Sequence, residues 1–163
     1  MLSTDTPELA LAPEPVTKLN LSWADILGAT KDVENAMRMI GYMPKAILSL
    51  GRGGVIPSRL LCEAFDCPMY YLGVSSYKGV RAEKIQIRQH LDVIAQRHLI
   101  SLGPQLLVVD DLWDTGATVR LARQGFPAAA VATLYCKEVY PDEIDFTGEV
   151  LMTSDWVVFP WEN

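Results

Sequence analysis

At 163 residues, half of them apolar, this chain carries enough hydrophobic material for one good core and is read as a single domain. A net charge of -6 withholds the broad basic footprint of a duplex nucleic-acid binder, and no apolar run approaches the roughly 20 residues of a membrane span. Three cysteines, Cys62, Cys67 and Cys136, make neither a CxxC pair nor an even disulfide set; zinc is disfavoured, and reduced, mostly structural thiols in a cytoplasmic setting are expected, with no secretory leader pattern at the start.

In chain order, residues 1–18 hold Pro7, Pro13 and Pro15 with acidic side chains and no helical period, and are read as a flexible tail before a domain covering 19–163. Ser22 followed by Asp25 resembles a capping box. Behind it, Trp23, Ile26, Leu27, Val33, Met37 and Ile40 recur at helical spacing up to Gly41. Lys45 to Leu50 reads as a strand, Gly51-Arg52-Gly53-Gly54 as a tight loop, and Pro57 as an early-turn residue of a helix ending near Phe65. Met69 to Tyr77 is a second strand. Lys78 to His98 is polar and mixed, with Lys78, Arg81, Lys84, Arg88 and Arg97, and reads as a basic loop followed by a strand or helix; His90 and His98 are read as surface residues. Leu106 to Leu112 is the central strand, Thr115 to Gln124 a short helix, and Ala129 to Cys136 another strand. Such alternation predicts an α/β fold, a mainly parallel central sheet flanked by helices.

The chemistry concentrates at the end of the central strand, where Asp110, Asp111 and Asp114 crowd before Thr115-Gly116-Ala117-Thr118. A strand buried on both faces sends its carboxyl end to the edge where open α/β sheets bind ligands. Amides and hydroxyls at the following helix start suit a monoester phosphate. Neither GxGxxG nor GxxxxGK[ST] occurs, which argues against dinucleotide and triphosphate loops. Asp110 and Asp111 are placed to accept from vicinal sugar hydroxyls and to help hold a hard cation such as Mg²⁺, so phosphate plus diol points to a ribose 5-phosphate.

On these residues, Val108 to Thr118 resembles the phosphoribosyl-diphosphate signature of the type I phosphoribosyltransferases. Ser49 to Gly54 resembles that family's diphosphate loop, Ser75-Ser76-Tyr77 the start of its flexible loop, and Trp156 to Glu162 the purine-binding end of the xanthine-guanine and hypoxanthine-guanine branch. The resemblance implies that fold, with a small hood formed by the terminal segments. It also implies transfer of ribose 5-phosphate from 5-phosphoribosyl 1-diphosphate to a 6-oxopurine, with release of diphosphate and Mg²⁺ as cofactor, in purine salvage. Residue by residue, it implies Asp110 and Asp111 on the ribose and the metal, with Glu162 a further metal contact. Thr115, Gly116, Ala117 and Thr118 would hold the phosphate, and Arg52 with the Gly53 and Gly54 amides the diphosphate. Asp114 would sit against N7 of the base as the catalytic carboxylate. Lys137 would donate to O6, Trp156 would stack, and the Val157 backbone would read the other edge. A lid would carry Ser76, Tyr77, Lys78 and Arg81. Val158 stands where the xanthine-using branch typically has an acidic residue, which ranks hypoxanthine and guanine above xanthine. The family's habit implies a homo-oligomer, dimer or tetramer, with no nucleic-acid or membrane partner.

Plainer readings stand beside these: Asp114 as a helix cap, Gly51 to Gly54 as a bare turn, Lys137 as a solvated lysine, Trp161 as a core aromatic and the basic run as a solvated face. Asp114-Thr115-Gly116-Ala117 also resembles the aspartic-protease tetrad, but that all-β fold conflicts with the helical period from Trp23. A non-catalytic regulator of the same fold, sensing phosphoribosyl diphosphate, is the alternative function.

Overall fold

The computed structural model describes residues 17–78, 83–139 and 141–162. Its elements, in order, are strand β1 (Lys18–Asn20), helix α1 (Trp23–Met39), β2 (Ala46–Leu50), α2 (Val55–Phe65), β3 (Met69–Lys78), β4 (Glu83–Gln89), α3 (Val93–Leu102), a short 3-10 turn (Gly103–Gln105), β5 (Leu106–Trp113), α4 (Ala117–Gly125), β6 (Ala130–Cys136), β7 (Phe146–Val150) and β8 (Trp156–Val158). Six strands make the main sheet in the order β4-β3-β2-β5-β6-β7, parallel except for the antiparallel β3–β4 pair. β1 and β8 pair in parallel as a separate two-stranded sheet, Lys18 opposite Trp156.

Period-two alternation gives each central strand a face in each of two cores. Ile47, Leu107 and Val109 pack with Ile26, Val33 and Met37 of α1 and Leu61 and Phe65 of α2. Leu48, Leu50, Leu106 and Val108 pack with Leu99 of α3 and Val119 and Ala122 of α4. This is why Leu106 to Val109 reads as an unbroken apolar run: both faces are covered. The chain steps from β2 outward to β3, then returns through β4 and α3 to β5 on the other side of β2. That reversal opens a crevice at the carboxyl ends of β2 and β5, the place where such sheets take ligands.

The capping box is present: the Ser22 amide donates to Asp25 Oδ2 at 2.7 Å and the Asp25 amide to Ser22 Oγ at 3.2 Å. The buried stripe of α1 is narrower than its sequence period predicts. Ile26, Ala29, Thr30, Val33 and Met37 are buried, whereas Trp23, Leu27 and Ile40 are 51%, 55% and 71% exposed because they lie on the flank of that stripe. α4 starts at Ala117 rather than Thr115, since Gly116 turns left-handed (φ 73°) and holds the preceding residues in a loop. The mixed stretch after Lys78 resolves into β4 and α3, with Asp92 capping α3 through the Ala95 amide at 2.8 Å. His90 and His98 are exposed. Most of the proposed N-terminal tail lies outside the described residues, but Thr17 and Lys18 are held: the Thr17 hydroxyl donates to Asp155, and Lys18 belongs to β1.

Candidate active site

A cleft of about 690 Å³ opens at the crevice between β2 and β5, a size suited to a small-molecule ligand. Its floor is the carboxyl end of β5. One wall is the turn after β2 with Arg52 and Gly53, and the opposite wall is the terminal segment with Trp156, Val157 and Trp161. Of the residues singled out in the sequence, Arg52, Gly53, Asp110, Asp111, Thr118, Trp156, Val157 and Glu162 converge on this one cavity.

The floor is electrostatically unusual. Asp110 is 8% exposed; burial and then the neighbouring Asp111 charge hold its carboxyl well above the ordinary range. Asp111 is pushed up to about 6, by burial first, with the Glu162 charge adding to it. Asp110 Oδ1 accepts from the Asp111 amide at 3.0 Å, and the ion pairs of the described residues all lie elsewhere. Two desolvated carboxylates without a cationic partner fit a hard divalent ion. Among the described residues no cluster of three or more His, Cys, Asp or Glu side chains would hold a metal unaided. Mg²⁺ is held by as few as one or two carboxylates, with substrate oxygens and water completing its shell, and Asp110 and Asp111 are the residues here that could hold it.

The two glycines after Arg52 have different duties. A Cβ on Gly53 would lie 2.1 Å from Asp111 Oδ2, so the bare backbone admits the carboxylate into the site. A Cβ on Gly54 would strike the Val109 and Leu50 carbonyls at 2.5 and 2.7 Å, and the Gly54 amide donates to the Leu50 carbonyl at 3.1 Å. That amide is therefore engaged within the fold, and Gly54 serves the close approach of α2 to the sheet.

The Thr115-to-Thr118 turn, with Asp114, bounds a second, smaller hollow of about 70 Å³. The N-cap Gly116 of α4 has no side chain to cap the helix and the first turn holds no acidic residue; the Ala117 amide donates to Thr115 Oγ1 at 3.4 Å, and the positive end of the helix faces this hollow. The loop is braced from behind by residues that the motif does not contain. Arg120 Nη1 pairs with Glu143 Oε1 at 2.7 Å while its other nitrogen donates to the Thr115 carbonyl, and both side chains crowd Gly116 so closely that a Cβ there would meet them at 2.7 and 3.0 Å.

Lys137 is mostly buried; Nζ donates to the Asp155 carbonyl at 2.9 Å and lies 3.8 Å from Asp114 Oδ1. It thus joins the catalytic candidate Asp114 to the residue preceding Trp156, although it does not line the main cleft. Trp156 is 45% exposed at the cleft wall. Glu162 accepts from the Phe159 amide at 3.0 Å, which closes the terminal turn. Trp161 combines both readings of it: it stacks on Phe159 with centroids 4.8 Å apart and also lines the cleft. Phe159 and Ser75, which lie in the terminal and loop-start segments without having been given a role of their own, complete the wall; Ser75 accepts from Arg88 Nε at 3.0 Å. Ser76 to Lys78 extend β3 by backbone pairing with β4, and Arg81 lies outside the described residues, as does the middle of the proposed lid.

A xanthine-guanine phosphoribosyltransferase of Idiomarina loihiensis is 29% identical over 147 residues, 87% of this chain and 85% of the relative. One of Gluconobacter oxydans is 32% identical over 121 residues, covering 73% and 69% of the two chains. Among solved structures, a purine phosphoribosyltransferase from Pyrococcus horikoshii superposes with a TM-score of 0.66 at 27% identity, over 90% of this chain and 95% of that one. A Neisseria gonorrhoeae protein solved with bound ppGpp shares the fold at a TM-score of 0.73 and 24% identity, over 91% of each chain. Residues 22–162 match the phosphoribosyl transferase domain, and the chain belongs to the phosphoribosyltransferase family.

Proposed function

We propose that the protein transfers ribose 5-phosphate from 5-phosphoribosyl 1-diphosphate to a 6-oxopurine, hypoxanthine and guanine ahead of xanthine, releasing diphosphate. The observation that carries this reading is the single cleft in which Asp110, Asp111 and Arg52 face an aromatic wall formed by Trp156 and Trp161. The names of the relatives support a purine acceptor.

In this reading the amides and hydroxyls of Thr115 to Thr118 bind the 5-phosphate at the start of α4. Asp110 and Asp111 accept from the ribose hydroxyls and, with Glu162 nearby, would hold Mg²⁺, which would supply charge stabilisation for the diphosphate when bound. Arg52 and the Gly53 amide meet that diphosphate. As the sugar–oxygen bond lengthens, positive charge grows on the ribose, and carboxylates already desolvated by the fold stabilise it more than water would. Trp156 stacks on the base and the Val157 backbone reads its edge. Lys137 donates to O6 while Asp114, beside it, exchanges the proton at N7. Exposed apolar side chains on α3, Val93, Ile94 and Ile100, supply a face for the homo-oligomer we place in the cytoplasm.

A regulator of the same fold would need the donor site but not an Asp114–Lys137 pair, so that pairing favours catalysis. The test is a panel of purines and pyrimidines incubated with 5-phosphoribosyl 1-diphosphate and Mg²⁺, following nucleotide and diphosphate together. Turnover of guanine and hypoxanthine, with slower xanthine and no adenine, is expected. Tight donor binding without turnover of any base would overturn the enzyme reading in favour of the sensor.

A further inference from the structure

Away from the cleft, the end of α2 brings two thiols together. The helix closes on Asp66, which is left-handed at φ 50°, and both the Asp66 and Cys67 amides turn back to the Cys62 carbonyl, the latter at 3.2 Å. In a helix stop of this kind the residue three places before the end and the second one beyond it meet side chain to side chain, usually as an apolar pair. Here both are cysteines. Cys62 is 5% exposed and packed in the core under the sheet; Cys67 is half-buried beside it, and both thiols are free.

The contact makes the two sulfurs unequal. Hydrogen bonding with Cys67, together with burial, pushes the Cys62 thiol far up, and the same contact draws the Cys67 thiol below its ordinary value. The more accessible sulfur is thus the better nucleophile, and the shielded one is held as its neighbour.

We propose that Cys62 and Cys67 are a peroxide-responsive modification site, in which Cys67 is oxidised first and Cys62 resolves it into a reversible intramolecular disulfide. The Cys67 sulfur attacks a peroxide oxygen; the O–O bond breaks, water leaves and a sulfenic acid remains. The Cys62 sulfur then attacks the Cys67 sulfur, the S–O bond breaks, and a second water departs with the Cys62 proton. The two thiols supply the two electrons that reduce the peroxide. The helix stop, with the Cys67 amide on the Cys62 carbonyl at 3.2 Å, draws the two residues toward the close approach that a disulfide needs. Closure keeps the half-exposed sulfur from the irreversible sulfinic and sulfonic stages, and it ties α2, whose other end begins at the Gly51–Gly54 turn, to the start of β3.

Cys136 provides an internal control. It is fully buried in β6 with its thiol donating to the Glu138 carbonyl at 2.9 Å, and it has no cysteine partner among the described residues. The test treats the full folded chain with hydrogen peroxide, alkylates the remaining thiols after unfolding, and maps them by mass spectrometry. Two of the three cysteines should resist alkylation, in one tryptic peptide between Arg59 and Lys78 that is lighter by two hydrogens and recovers with dithiothreitol. Cys136 should stay alkylatable throughout. In Cys62→Ser, Cys67 should instead be trapped by dimedone or pass to the sulfinic acid. The proposal is overturned if all three thiols of the unaltered chain remain alkylatable, if Cys67 becomes a sulfinic acid while Cys62 is still alkylated, or if the disulfide links two chains.

Discussion

The donor wall of the cleft stands on β2 and β5, whose carboxyl ends deliver Gly51 to Gly54 and Asp110 to Thr118 as two contiguous stretches rising from a core with Leu48, Val108 and Val109 at 0–1% exposure. The base wall stands on three residues, Trp156 to Val158, paired with Lys18 to Asn20 near the other end of the chain and steadied by the Phe159–Trp161 stack and the Trp23–Trp161 contact. One wall is part of the sheet; the other is a hood leaning against it. The difference separates the two recognition problems. Donor chemistry needs charges and amides fixed to a fraction of an ångström, and the central sheet supplies that rigidity. In the proposed reading base choice falls to the hood, where Trp156 is exposed at the cleft while Val157 and Phe159 are buried in the core against the sheet.

Changes on the donor wall should cost the most. Asp111→Asn removes the carboxylate that the proposed function sets against ribose and metal; hydrogen bonds to charged groups are worth about 1.5–3 kcal/mol, so donor affinity should fall about 100-fold by calorimetric titration. The same variant should be more stable without ligand. The folded state raises the Asp111 pKa to about 6, so between the unfolded value of 3.8 and about 6 the native state binds more protons than the unfolded one. Stability of the unliganded chain should therefore fall as pH rises through that window, and Asp111→Asn should flatten the trend in denaturant midpoints measured from pH 4 to 7. Donor binding in Mg²⁺ should run the opposite way, weakening as pH drops through 6. A parallel fall of affinity and stability would show that Asp111 is a structural residue.

Behind the base wall, Lys137→Ala should lower kcat/KM for guanine by about tenfold or more, the cost of one charge-assisted hydrogen bond, with KM for the donor little changed. An unchanged guanine profile would remove Lys137 from base recognition. The smallest effect is expected behind the phosphate turn. Arg120→Ala loses a half-exposed ion pair with Glu143 and the brace on the Thr115 carbonyl, so stability should drop by no more than about 1 kcal/mol. KM for the donor should rise several-fold while guanine selectivity holds; a shift in selectivity would contradict the separation of the walls.

The same contrast explains what could be read from the chain. Leu106 to Thr118 was legible because strand, carboxylates and phosphate turn are consecutive, and Ser22 with Asp25 because a helix cap is local. The β1–β8 pair was not, since strands of three residues at opposite ends of the chain carry no periodic signal. α3 was obscure because among its residues only Leu99 is buried, leaving almost no apolar stripe. Arg120 and Glu143 escaped notice for a similar reason: they meet across 23 positions, and each alone looks like a solvated charge. Gly53 and Gly54 look alike in the sequence, and only the fold sets the Leu50 and Val109 carbonyls beside Gly54 and the Asp111 carboxylate beside Gly53.

The division of labour between the walls is tested most directly by titrating 5-phosphoribosyl 1-diphosphate with Mg²⁺ into the unaltered chain, Asp111→Asn and Trp156→Ala. The account predicts that donor affinity falls about 100-fold in Asp111→Asn and stays within about threefold in Trp156→Ala, whose loss of about 1–3 kcal/mol of stacking appears only once a base is added. Equal losses of donor affinity in the two variants would contradict it.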